Sequence, residues 1–223
     1  MRVFMPLAAA LVLLLPHMVS AQDESTALPG RADVEPGEPY VDETFRDWQI
    51  RCIRSQEDDI PERCEMFQLL EEENGNPVAE FRISVAIEPS EDVVANATIV
   101  TPLDTLLSPG LQLQIDDGQP AVVPYAFCQQ IGCFVQLSLS ADDINAFQNG
   151  GDAPVTLVAL VRGPNGQMGG APVPTNASLR GFTAAYENLE GRIGGIREFI
   201  AEQEAAAAAE GDAEGETEGA ATE

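Results

Sequence analysis

The chain has 223 residues, with 37 acidic side chains against 11 basic ones and a formal net charge of −26. A surface that acidic repels nucleic acid and anionic membrane faces, so a partner met through charge must be basic. Every basic side chain is an arginine and the lone histidine is His17, so the rest of the chain lacks the commonest general base, proton shuttle and zinc ligand.

Arg2 precedes an apolar run from Val3 to Leu15, and Val19-Ser20-Ala21 supplies a small-x-small cleavage site. This is the layout of a secretory signal peptide over residues 1–21, with an apolar run too short for a stable membrane span. Its removal would deliver a histidine-free chain to an oxidising compartment, where the even set Cys52, Cys64, Cys128 and Cys133 reads as two disulfides. Residues 22–44 set Asp23, Glu24, Asp33, Glu35, Glu38, Asp42 and Glu43 against Arg31 alone, and read as a disordered acidic linker.

From Phe45 the pattern is mostly period two. Phe45–Ile53 reads as one half-buried strand, and Cys64–Leu69 resumes after the polar loop Ser55–Arg63. Asn74-Gly75 supplies a hairpin turn before a strand over Val78–Ile87, followed by Ala95–Thr101. Leu111–Ile115 alternates cleanly and turns at Asp116–Pro120; Phe134–Leu139 and Val155–Val161 are further strands. Ser140 caps a short helix near 141–149 that carries Asp142 and Asp143 in its first turn and ends near Gly150. A C-terminal helix starts near Thr183 and runs through Leu189, Ile193, Ile196 and Ile200, weakened by Gly191, Gly194 and Gly195. The expected organisation is an all-β, disulfide-stapled β-sandwich over 45–190, a helical extension over 191–207, and an acidic disordered tail over 208–223.

Four cysteines allow three pairings. Loop-closure entropy separates them by only about 1–3 kcal/mol and does not decide. Strand geometry decides better. Cys52 ends one strand and Cys64 begins the next, while Cys128 and Cys133 flank a tight turn, which favours Cys52–Cys64 with Cys128–Cys133. Neither a redox role nor a zinc site fits: Cys128-x4-Cys133 has no neighbouring base, and the eleven-residue gap breaks zinc-knuckle spacing.

Five pieces occur in order: Phe45-x-Asp47-Trp48-x3-Cys52; Cys64-x3-Gln68; Thr101-Pro102-Leu103 with Leu111-x-Leu113-x-Ile115-Asp116; Phe127-Cys128-x3-Gly132-Cys133; and Ser178-Leu179-x-Gly181-Phe182. Together they resemble the invasion-associated locus B family of exported alphaproteobacterial proteins, over residues 45–190. The resemblance implies a periplasmic or surface β-rich protein, non-enzymatic, in a family named for host-cell entry in its pathogenic members. It supplies no catalytic residue. Asp104 departs from it, standing where relatives tend to have glycine.

Other sites read as structure. Asp116-Asp117-Gly118 lacks the twelfth-position glutamate of a calcium loop, because Phe127 stands there, so it reads as a turn. Ser138, Ser140 and Ser178 have no histidine or lysine to activate them, with Ser178 expected at a strand start. No catalytic, cofactor-binding or metal residue is expected. The expected function is contact with an envelope or host protein, in the periplasm, secreted or at the cell surface; self-association through Ile193, Ile196 and Ile200 is the lesser use of the C-terminal helix. The alternative is a carboxylate-based hydrolase of envelope glycans, since paired acids need no histidine.

Overall fold

A computed structural model describes residues 28–57 and 59–219. The expected signal peptide, the first residues of the acidic linker and the last four of the tail lie outside them. The strands are β1 (Pro39–Phe45), β2 (Trp48–Ile53), β3 (Arg63–Glu71), β4 (Pro77–Val85), β5 (Ala95–Thr101), β6 (Leu111–Leu113), β7 (Ala121–Val123), β8 (Tyr125–Gln129), β9 (Gly132–Leu139), β10 (Asp152–Arg162) and β11 (Met168–Ser178). The helices are α1 (Ala141–Asn149) and α2 (Phe182–Gly219). Two antiparallel sheets form: a large one in the order β1-β2-β3-β4-β5-β9-β8 and a small one in the order β11-β10-β6-β7. The all-β, two-disulfide expectation with two helices is what the structure shows.

Alternation builds the core. Trp48 and Ile50 on β2, Phe81 and Ile83 on β4, and Ala97 and Ile99 on β5 point inward from the large sheet. Val155 and Leu157 on β10 and Leu111 and Leu113 on β6 meet them from the small sheet. Each large side chain so buried contributes about 2 kcal/mol. Helix α2 crosses β1–β4 on this inner face, burying Phe182, Leu189, Ile193 and Ile196. Arg197 fastens it by donating to the carbonyls of Ile87 (2.8 Å) and Ala86 (2.6 Å). Trp48 lies 5.7 Å from Phe81 and 5.4 Å from Phe182, and Phe147 of α1 stacks on Phe182 at 5.3 Å. Ser140 caps α1 in a reciprocal box with Asp143.

Four expectations need correction. The acidic linker is ordered from Leu28 on, and its last residues form β1; Tyr40 and Val34 are buried, and Arg54 donates to the Val34 carbonyl. The predicted strand Phe45–Ile53 is two strands, because Phe45 pairs with Trp48 across a two-residue turn with Arg46 at φ 56°. The residues Met168–Ser178 form a long strand that the glycines and prolines there hid. Prolines 172 and 174 fit because β11 is an edge strand, where a missing N–H breaks no ladder bond; Ser178 therefore ends a strand instead of starting one. Helix α2 continues through Gly219 into the expected tail, carried onward by the run Ala205–Ala209, the best helix former available.

Candidate functional site

Cys52 and Cys64 are directly opposite across β2–β3 and form one disulfide; Cys128 and Cys133 are opposite across β8–β9 and form the other. The Arg192 guanidinium of α2 lies 3.9–4.0 Å from the sulfurs of the first bridge while pairing with Asp42 of β1.

The motif residues scattered along the sequence meet at one seam between the sheets. Ser178 closes β11 with its N–H and C=O facing away from β10. The Gln68 carboxamide on β3 accepts from that N–H at 2.7 Å and donates to that carbonyl at 2.9 Å. It also donates to the Asp47 carbonyl at 3.0 Å. A buried side chain thus supplies the ladder bonds that a strand would otherwise make. Trp48 Nε1 donates to the same Ser178 carbonyl at 2.8 Å, and Ser178 Oγ donates to Asp47 Oδ2 at 2.6 Å. Gly181 sits at φ 90° against this turn, where a Cβ would stand 2.0 Å from the Phe45 carbonyl oxygen. Gly132, at φ 151°, meets the Thr101 carbonyl in the same way, at 2.4 Å. Asp116 Oδ1 accepts from the amides of Gly151 (2.9 Å) and Asp152 (3.0 Å), which hold its carboxyl below the usual range. Its carboxylate is spent on the fold.

None of the candidate serines has a histidine or lysine beside it. Ser178 faces a carboxylate and Ser140 is a helix cap, while Ser138 lies exposed on β9. Among the described residues no group of three or more histidine, cysteine or acidic side chains is placed to hold a metal ion.

Among the described residues no helix or strand covers the outer face of the large sheet, and Leu28 lies beside Arg51, Glu65 and Arg82 on it. Over the seam lies an open groove of about 600 Å³ lined by Arg46, Asp47, Arg51, Phe67, Glu71 and Asn176 among others. The Arg51 guanidinium sits 3.1 Å from the centroid of the Phe67 ring, a cation–π contact worth about 0.5–2 kcal/mol. Burial there lowers its pKa, against the pull of Glu80. Arg82 bridges Glu80 of its own strand and Glu65 of β3, the latter at 3.6 Å. Burial raises the Glu65 carboxyl pKa, opposed by Arg82 and Arg51. Sequence reasoning passed over these five residues. Their signal was the outward half of the same alternation: Arg51, then Glu65 and Phe67, then Glu80 and Arg82, at every second position of three successive strands.

The model of the family described as "Invasion associated locus B (IalB) protein" matches residues 48–190, more than half of the chain. The chain belongs to the invasion-associated locus B family. The invasion-associated locus B fold is seen in the crystal structure of invasion associated protein B from Bartonella henselae. That chain is 20% identical, with 67% of this chain and 95% of that one covered at a TM-score of 0.51. No curated protein matches by sequence. Family membership and two disulfides fit an exported protein, and no helix of the described residues is long and apolar enough to cross a membrane.

Proposed function

We propose that the protein works in the periplasm or at the cell surface without catalysis, by holding an envelope or host protein on the outer face of its large sheet. Export through the signal peptide at residues 1–21 is part of this reading, as is a role in host-cell contact of the kind the family name records. The observation that carries it is a division of labour. The family-motif residues Asp47, Trp48, Gln68, Ser178 and Gly181 make the bonds and close contacts that join the sheets, while no described helix or strand covers the sheet face bearing Arg51, Phe67 and Arg82. Faces and loops held on a rigid scaffold are where such folds recognise partners.

One observation favours a second reading. Burial pushes the Glu65 carboxyl pKa up, Glu65 shares Arg82 with Glu80, and a pair of neighbouring carboxyls is what a glycan hydrolase uses. Both, however, are tied to one arginine, which occupies the space between them. Incubation of the purified chain with peptidoglycan fragments separates the readings. The expected result is no turnover; turnover lost in Glu65→Gln would replace the binding reading with the hydrolase.

A further inference from the structure

The chain holds more than three acids for every arginine, so an arginine with no carboxylate beside it stands out. Arg31, Arg82, Arg180 and Arg192 are in ion pairs, and Arg54, Arg162 and Arg197 donate to backbone carbonyls. Among the described residues Arg46, Arg51 and Arg63 have neither, and all three line grooves on the outer face of the large sheet. The acids Glu65 and Glu80 of that face are both engaged by Arg82.

Arg51 and Arg63 share a groove of about 560 Å³ with Pro39, Ile53 and Arg82, and Leu28 lies in it, half-buried. The Pro29 carbonyl accepts from the Val41 N–H at 3.0 Å, so the chain passes along the free edge of β1 and meets this groove at Leu28. Glu24 stands four residues before Leu28 and Asp23 five. An extended chain spans at most about 3.5 Å per residue, which gives the two acids reaches of about 14 and 17 Å. Neighbouring strands lie about 4.8 Å apart, so β2 and β3, which carry Arg51 and Arg63, are within about 10 Å of β1. Both arginines are in range.

We propose that Asp23 and Glu24 dock on Arg51 and Arg63, so that residues 22–27 cover this part of the outer face and a partner must displace them. The inference rests on the outer face being the contact surface, and adds the regulation of that surface. The chain's own segment is the occupant that position and charge select. Tethered through Leu28, it meets the groove at an effective concentration in the millimolar range. A separate acidic chain must instead approach against the field of a molecule of net charge −26. Exposed ion pairs are weak and screened by salt, which keeps the segment displaceable.

Arginine side-chain NMR of the full chain, compared with the double variant Asp23→Asn/Glu24→Gln, tests this. The expected result is a shift of the Arg51 and Arg63 Nε–H signals and none at Arg162, on β10 of the small sheet. Raising salt to about 1 M, where the screening length falls to about 3 Å, should move the same two signals of the unaltered chain toward the variant's positions, a readout that needs no substitution. A free peptide Gln-Asp-Glu-Ser-Thr-Ala should bind the variant more tightly than the unaltered chain. Arg51 and Arg63 signals that do not move, or move no more than Arg162, would overturn the proposal. So would a peptide that binds both chains equally, which would make a separate acidic chain the occupant. These readouts need no partner, whereas the contact-surface reading fails on its own terms if a photo-crosslinker at Thr98 captures no protein from either chain in the host.

Discussion

Gln68 shows how one side chain substitutes for a strand. Its carboxamide makes three hydrogen bonds, to the Ser178 N–H and to the carbonyls of Ser178 and Asp47, in a buried position. Removing it leaves the Ser178 amide without a partner at the seam, and an orphaned buried donor costs about 1–3 kcal/mol beyond the bonds lost. Gln68→Ala is expected to destabilise the protein by about 2–4 kcal/mol in chemical denaturation. Gln68→Glu should fare little better, because a carboxylate can accept from Ser178 but cannot donate to the two carbonyls. A loss under about 0.5 kcal/mol would show that the sheets are joined by core packing alone. The order of the motifs marks Gln68, Asp47 and Ser178 as members of one signature; that they meet in space was not legible, since their contacts span more than a hundred residues of chain.

Among elements, legibility followed burial pattern. The strand expected over Ala95–Thr101 has those bounds in the structure, because β5 is central and its apolar residues alternate. Edge strands were the ones missed. β1 buries little beyond Tyr40 and its acids read as linker, while β11 carries glycines and prolines that only an edge tolerates. The hairpin staples differ in weight for reasons visible at this scale. Cys52–Cys64 closes a separation of 12 residues and Cys128–Cys133 one of 5. Loop entropy therefore predicts losses of about 3 and about 2 kcal/mol when each pair is replaced by alanine. The first loss should grow further because Cys52 is part of the core and Cys64 packs against it. Urea unfolding of the two double variants should rank them in that order; the reverse order would place the stability of the hairpins elsewhere.

At the scale of the whole molecule, the inner face of the large sheet is shared between α2 and the small sheet, and its outer face meets solvent. The helix spends Ile193 and Ile196 on that inner face and leaves Ile200 37% exposed. With Trp48 and Gln68 buried and Asp47 and Ser178 bonded to each other at the seam, the proposed partner contact is assigned to the outward residues of β2–β5 and β9. The most direct test of this division is site-specific photo-crosslinking of the full chain in its native host. The probe is placed in turn at Thr98 on the outer face of the large sheet and at Thr156 on the outward side of β10. Adducts to a defined partner from position 98, absent from position 156 and lost on Arg51→Glu in an otherwise stable protein, are the predicted result. Adducts from position 156 alone, or from position 98 unaffected by Arg51→Glu, would contradict it.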